Sequence, residues 1–392
     1  MVQPSAPPET PPPVLPEEQV PERFAFFRPK ARLVEVRPAS SNINLTWILL
    51  YKDEDDPEEE APKRVVLQRL NPKVFPDTAA VMANFRLVTA HLARARETDP
   101  KTPEFPLALA SPEGEDFQLD EEGGLWRLIS YIGPSKSLES LKNARQAAGM
   151  GAMLARFHLL LADLDTAALV DPLPGFHDTP AYLARYDEIA PDKFITPVLR
   201  YSFLRFHKVK NEREEKCRSM IEEQRAVAGL LSDGALTRRT VHGDPKCANF
   251  LFTKSGASVR SLIDLDTVRE GLLLHDLADA LRSCCARGGE NARHPQLEPE
   301  YFSAFLSGYF GVGGGALLPR DERELIPDAM RLLCFELGLR FFTDVLEGGR
   351  YFASRYDGHT LDRACSQLTL AMQCGWRAKE LRAALKEVVS GA

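Results

Sequence analysis

In the stretch HGDPKCANFLF (242–252), Asp244 is followed two residues later by Lys246 and five residues later by Asn249, just before an apolar run that reads as a strand. A lone Asp or Asn in a loop is ordinarily a turn former. Together these side chains can do more: the carboxylate can accept a proton from an attacking hydroxyl, and the ammonium can offset the charge of a group in transfer. NFLF leads through the turn-rich KSGASV into SLIDLD (261–266), a second short strand that ends in acids. Pairing of the two strands would bring Asn249 and Asp264 to neighbouring positions, with Asp266 as a further acid. One amide oxygen and one or two carboxylates are the outline of a magnesium site, because that ion takes few protein oxygens and leaves room for phosphate and water. The chemistry indicated is phosphoryl transfer to a hydroxyl, with Asp244 as base. His242, flanked by apolar residues, is expected to be a buried hydrogen-bonding post rather than a base.

These side chains need elements to hold them. The chain has 392 residues, beyond the size at which one core stops growing, so two lobes are expected. A net charge of −7 argues against a general nucleic-acid binder or a binder of acidic membranes, since either would present a basic face. The seven cysteines include the neighbours Cys284 and Cys285 but no CxxC, so neither zinc nor a disulfide framework is indicated and a cytoplasmic setting is expected. Residues 1–22, crowded with Pro and Glu, read as a disordered tail without a signal-peptide pattern. No apolar run reaches membrane-spanning length.

LTWILLY (45–51) and RVVLQRL (64–70) read as a hairpin around the acidic, solvated KDEDDPEEEAPK. Val81, Phe85, Val88 and Leu92 mark a helix over 77–96, and a strand returns near LWRLISYI (125–132). From Ser137 the pattern is helical, through LARFHLLL (154–161), the charged stretch around 204–230 and an apolar helix near 329–347, interrupted by strands only around the motif. The expected fold is α+β and two-lobed: a small antiparallel-sheet N-lobe over 23–130 and a larger, mainly helical C-lobe over 131–392.

An Asp, a Lys two residues on, an Asn five residues on and a later metal-binding Asp form the active-site plan of eukaryotic-type kinases. HGD in place of HRD, IDLD in place of DFG, and the lack of an APE segment resemble the aminoglycoside phosphotransferase and choline kinase superfamily. Within it the chain is most similar to the N-acetylhexosamine 1-kinases, through VLQRLNPKVF (66–75), PGFHDTP (174–180), IDLDTV with HDLADALR (263–282), and LGLRFFTDVLEGGRYF with HTLDR (337–363). The resemblance implies a protein-kinase-like fold and ATP and Mg2+ as cofactors. It gives Asp244 as base with Lys246 beside it, Asn249 and Asp264 as metal ligands, Asp266 as a second acidic ligand and Asp276 as a brace for the catalytic loop. Arg69 would take the phosphate-contacting role that lysine has in protein kinases, and 126–135 would be the adenine hinge. PASSNINLTW (38–47) stands in the place of the phosphate-covering loop, with Asn42 and Asn44 as candidate nucleotide contacts, but Ala39, Ser40 and Ser41 replace the usual glycines. The helix over 77–96 lacks a glutamate to pair with Arg69. A non-catalytic, nucleotide-binding relative is therefore the alternative to an enzyme.

The substrate end is expected in the helical lobe. LLCFELGLRFFTDVLEGG (332–349) is apolar around most of its circumference, yet Glu336, Arg340, Asp344 and Glu347 recur on one stripe. Such a row is either an internal ion-pair ladder or the wall of a polar cavity. The resemblance favours the wall, with Arg340 and Tyr351 on a sugar and Asp344 near them, and gives His177 and Asp178 no role. The expected partners are ATP and a small sugar, most of all an N-acetylhexosamine phosphorylated at its anomeric hydroxyl, with an amino sugar, aminoglycoside or choline-like compound as alternatives.

Overall fold

Strand alternation in the N-terminal third builds a sheet with two unlike faces. The structure, a computed structural model, describes residues 19–39, 43–190, 208–231 and 236–391. Strands β1 (Arg32–Pro38), β2 (Leu45–Lys52) and β3 (Lys63–Leu70) are followed by a long helix, α2 (Thr78–Thr98), and then by β4 (Gln118–Leu119) and β5 (Leu125–Ser130). The sheet is antiparallel in the order β1-β2-β3-β5-β4. Its register sets Gln68 opposite Thr46 and Arg127, and Arg69 opposite Leu45 and Trp126. Because successive side chains point to opposite faces, Gln68 and Arg127 share one face while Arg69 and Trp126 share the other.

The outer face carries a core of its own. Trp47, Leu49, Val65, Leu67, Trp126 and Leu128 are buried there beneath α1 (Gln19–Phe27), which contributes Val20, Phe24 and Phe27. Trp47 and Trp126 stack at 5.5 Å with 10° between their planes. Each large apolar side chain buried in this way stabilises the fold by about 1.5–3 kcal/mol. The tail expected through Glu22 thus gives way to helix at Gln19, since the i, i+4, i+7 spacing of Val20, Phe24 and Phe27 makes an apolar stripe that the sheet covers. Residues 1–18 lie outside the described residues. The acidic loop is tied by Lys63, which reaches Asp53 at 2.6 Å and Asp56 at 2.7 Å.

Helix α2 starts at the Asp77 cap, whose carboxylate accepts from the Ala80 N–H at 2.9 Å. Val81, Phe85, Val88 and Leu92 face inward as their spacing predicts, and they join Leu70 and Leu125 in one apolar cluster continuous with the helical part. The inner sheet face and the helical part therefore share a core.

Beyond β6 (Ser135–Ser137) come α3 (Ala144–Leu160), α4 (Thr179–Ile189) and α5 (Lys208–Gln224). The strands β7 (Arg238–Val241), β8 (Phe250–Thr253), β9 (Val259–Leu262) and β10 (Arg269–Leu272) precede α6 (Leu273–Cys284). The two-residue strands β11 (Ala286–Arg287) and β12 (Gln296–Leu297), not expected from the sequence, lead to α7 (Pro299–Gly311), α8 (Arg320–Glu324), α9 (Ile326–Leu346), α10 (His359–Trp376) and α11 (Ala378–Gly391). Helix α9 packs against α4, α6 and α10, which is why its circumference is apolar. β7 pairs with β10 and β8 with β9, so the motif loop, between β7 and β8, and the DLD segment, between β9 and β10, run side by side. The fold is α+β, with an antiparallel N-terminal sheet and a helical C-terminal part. No helix among the described residues is long and apolar enough to cross a membrane.

Candidate active site

The loop after β7 is fixed from beneath by α6. Asp276 is fully buried and accepts the backbone N–H groups of His242 at 2.6 Å and Gly243 at 2.8 Å. Seven residues on, two turns along the same side of the helix, the Ser283 hydroxyl accepts the Cys247 N–H at 2.8 Å. Burial works against the Asp276 charge, but the hydrogen bond from His158 at 2.9 Å and the loop N–H groups outweigh it and hold the carboxyl below its usual range. Gly243 has φ +87°, and a Cβ there would lie 2.6 Å from the Thr267 carbonyl, so only glycine fits this turn.

His242 is the post its surroundings predict. Its ring is fully buried, with Nε2 2.9 Å from the Ile263 carbonyl and Nδ1 accepting the Asp244 N–H at 3.3 Å. Burial pushes its pKa down, which keeps a neutral ring with one donor and one acceptor.

Asp244 is partly open to the cleft, and Lys246 Nζ donates to its Oδ2. Asn249 gives its amide N–H to the Asp244 carbonyl at 2.7 Å, which leaves the amide oxygen for another partner. The Ile263 N–H donates to the Asn249 carbonyl at 2.9 Å, and one residue on Asp264 turns through a left-handed conformation, φ +69°. Desolvation in the cleft, with the charges of Asp266 and Asp244, pushes the Asp264 carboxyl up to about 7 against the pull of Lys246 and Arg127, although its side chain opens to solvent. A carboxyl raised by its acidic neighbours, beside an amide oxygen left for another partner, suits a hard cation, so Asn249 and Asp264 are the residues here that could hold magnesium.

Asp266 is engaged otherwise. Arg127 holds its Oδ1 at 2.5 Å and Asn44 its Oδ2 at 2.7 Å, all three being buried. In the structure Asp266, expected as a second acidic ligand, ties the sheet to the segment after Asp264. Asn44, expected on the nucleotide, is spent on Asp266 and on the Asn71 N–H at 3.1 Å. Asn42 lies outside the described residues.

Arg69 also departs from expectation, for a reason of parity. It sits on the outer sheet face, bound to Asp120 at 2.5 Å and Glu122 at 2.9 Å, away from the cleft. Gln68 and Arg127, which the sequence reading passed over, take the inner face, where Arg127 donates to Gln68 at 2.8 Å and lies 4.3 Å over the Phe85 ring of α2. Counting alternate residues along VVLQRL would have shown that Gln68 and Arg69 cannot share a face.

A cavity of about 420 Å³ opens in front of Asp244 and Lys246, walled by α9 and by the segment after it. The charges on the α9 stripe form no salt bridge with one another, although Arg340 lies close enough to Glu336 to act on its charge. Glu336 is buried against His177 and Thr179, Glu347 takes Arg185, and Asp344 accepts the backbone N–H groups of Arg350, Tyr351 and Phe352 at 2.9, 2.7 and 3.3 Å. Asp344 is therefore the post for the turn that brings Tyr351 to the cavity rim, not a partner of Arg340. Arg340 makes no hydrogen bond or ion pair among the described residues. Its guanidinium lies 5.0 Å from the Phe176 ring, 5.0 Å from Tyr182 and 5.7 Å from Phe352, on the cavity wall. In GFHDTP, Asp178 caps α4, and His177 spans from Glu336 to the Gly243 carbonyl.

Residues 35–309, well over half of the chain, match APH, the phosphotransferase enzyme family, and the chain belongs to that family. Among solved structures it is similar to an aminoglycoside phosphotransferase from Alicyclobacillus acidocaldarius, with a TM-score of 0.56 at 14% identity over 98% of each chain. A choline/ethanolamine kinase family protein from Mesorhizobium loti follows, at 0.54 and 14% over 94% of this chain and 98% of that one. A spectinomycin phosphotransferase in complex with ADP and spectinomycin gives 0.53 and 13% over 91% and 98%. At these identities the likeness is one of fold, and the fold is kinase-like.

Proposed function

We propose that this phosphotransferase is an ATP- and magnesium-dependent kinase of a small sugar, acting on the anomeric hydroxyl of an N-acetylhexosamine. Asp244 takes the hydroxyl proton as the sugar oxygen bonds to the γ-phosphorus and the bond to ADP breaks; Lys246, paired with Asp244, offsets the charge of the phosphoryl group in transfer. The anomeric hydroxyl is the most acidic on a sugar, which suits a carboxylate base. Magnesium, held by Asn249 and Asp264, would neutralise charge on the phosphates. The 126–135 segment would offer backbone groups to adenine, and the lobe boundary near residue 130 falls there. A nucleotide cofactor accords with the ADP bound in the spectinomycin phosphotransferase.

The observation that carries the sugar reading is Arg340. An unpaired guanidinium on the cavity wall calls for an acceptor-rich ligand such as a sugar with its acetamido oxygen. A ring of aromatics would otherwise suit the quaternary ammonium of choline, but here Arg340 fills it and repels such a cation, as it repels a polycationic aminoglycoside. The test is a panel of free sugars, N-acetylhexosamines, amino sugars, aminoglycosides and choline assayed for ATP consumption, with the new phosphate located by phosphorus NMR. Turnover confined to the cationic compounds would overturn the reading.

A further inference from the structure

We propose that His177 is a positioning residue, one that locks the loop bearing Asp244 to the helix bearing Arg340. The inference rests on the kinase reading, and it concerns a residue that lies between the two halves of the site. His177 Nδ1 is 2.8 Å from Glu336 Oε1 on α9, and Nε2 is 3.2 Å from the carbonyl of Gly243, the residue before Asp244. The ring therefore touches both halves of the site at once, one nitrogen on each.

The surroundings are built to keep it there. His177 has φ +67°, a left-handed conformation that costs energy for any residue with a Cβ and that persists where neighbouring structure over-determines it. That structure is present on each side: Asp178 caps α4 by accepting the Ala181 N–H at 3.0 Å, and Thr179 donates to the second oxygen of Glu336 at 2.6 Å. Glu336 thus has both oxygens engaged by one turn of chain. Gly243 is held from the other side as well, through its N–H to Asp276 at 2.8 Å. The peptides flanking Gly243 are pinned to α6 below and to α9 across the cavity.

The adjoining side chain completes the lock. Phe176 carries the Arg340 guanidinium at 5.0 Å, while His177 carries the Gly243 carbonyl. Two consecutive residues of GFHDTP therefore set the distance between the candidate base and the candidate sugar contact, and a shift of this turn would move one relative to the other.

The variants are His177→Asn, Glu336→Gln and the two combined, assayed on whichever sugar the wild type phosphorylates. Asparagine tolerates the left-handed backbone but is too short to span both acceptors, so any loss belongs to the ring. His177→Asn is expected to lower kcat about a hundredfold, as a misplacement near 1 Å does, with the KM for ATP unchanged. The double variant removes the unpaired buried carboxylate and should regain thermal stability while kcat stays low. Recovery of kcat in step with stability would reduce His177 to a structural role and overturn the proposal. A readout independent of any substrate is the amide NMR spectrum, where the Gly243 and Asp244 signals are expected to shift in His177→Asn. Unmoved Gly243 and Asp244 signals sink the inference whatever the panel shows. If no sugar is turned over but the amide shifts are found, the sugar reading fails and the lock stands.

Discussion

Arg127 and Asp266 lie 139 residues apart in sequence and meet at 2.5 Å, with side chains 1% and 2% exposed. With Asn44 on the other carboxylate oxygen, this pair joins the sheet to the segment that follows Asp264. Removing one member of a buried pair leaves a charge with no partner, which typically costs about 3–5 kcal/mol, more than removing both. Arg127→Met should therefore lower the unfolding free energy by about that amount in urea denaturation, and Arg127→Met with Asp266→Asn should recover part of it. Additive losses would mean that the two side chains act separately.

Asp244→Asn keeps the size of the side chain and the Asn249 bond to the Asp244 carbonyl, which is a backbone contact. The variant should fold and bind ATP as the wild type does, while kcat falls by about 10²–10⁴, the range a positioned base contributes. Circular dichroism, ATP titration and steady-state kinetics check the three parts. Turnover within a few-fold of wild type would remove Asp244 from the role of base.

Stabilisation by nucleotide separates an enzyme from a binding module. With Asn249 and Asp264 as the cation donors, the thermal shift produced by ATP should need magnesium and should largely vanish in Asp264→Ala, because ligand binding raises stability only as far as affinity allows. An ATP shift indifferent to both magnesium and the substitution would favour the non-catalytic reading.

Glu336 gives a prediction in pH. Burial opposes its charge, but His177 and Arg340, with the Thr179 hydroxyl, hold the carboxyl down at about 2, below the roughly 4.3 of an unfolded glutamate. The folded value is the lower one, so Glu336 stabilises the fold above about pH 4.3 and loses that contribution as pH falls toward 2, about 3 kcal/mol in all. Wild-type stability should decline more steeply than that of Glu336→Gln across this window, as measured by denaturant midpoints. Coincident slopes would mean that the carboxyl is not held ionised by the fold.

Local signals made much of this site legible. HGDPKCAN and SLIDLD meet at the base of one hairpin, β8–β9, with the Ile263 N–H on the Asn249 carbonyl, so Asn249 and Asp264 come together as their spacing implies, with Asp244 one short loop away. What failed was parity and partnership. Arg69 was given the cleft by the family resemblance, although the register puts it with Trp126 on the outer face. The Arg127–Asp266 and His177–Gly243 contacts join elements with no shared periodicity, and no pattern in one chain announces such pairs. Likewise the α9 stripe showed that its charges needed partners, but not that Asp344 would find backbone N–H groups while Arg340 found rings.

Arg340 is where substrate choice should be read. Its guanidinium has three aromatic neighbours and no acceptor among the described residues, so its hydrogen-bonding capacity faces the cavity that holds Asp244. A sugar oxygen meeting it there would make a charged hydrogen bond, whose loss typically costs about 1.5–3 kcal/mol. Arg340→Ala should accordingly lower kcat/KM for the sugar by about 10- to 150-fold, with the KM for ATP unmoved, since the nucleotide is expected at the other end of the cleft. Arg340→Met is the sharper variant, because it keeps most of the packing against Phe176, Tyr182 and Phe352 while removing the donors and the charge. If Met restores sugar kinetics, the side chain matters as filler and the cavity is not a sugar site built on Arg340. If Ala and Met are equally impaired on the sugar and both keep their affinity for ATP, the guanidinium itself is the contact. The same substitution empties the cage of its resident cation, so choline, excluded from the wild type, should begin to bind in Arg340→Ala, and calorimetry with choline alone would register it.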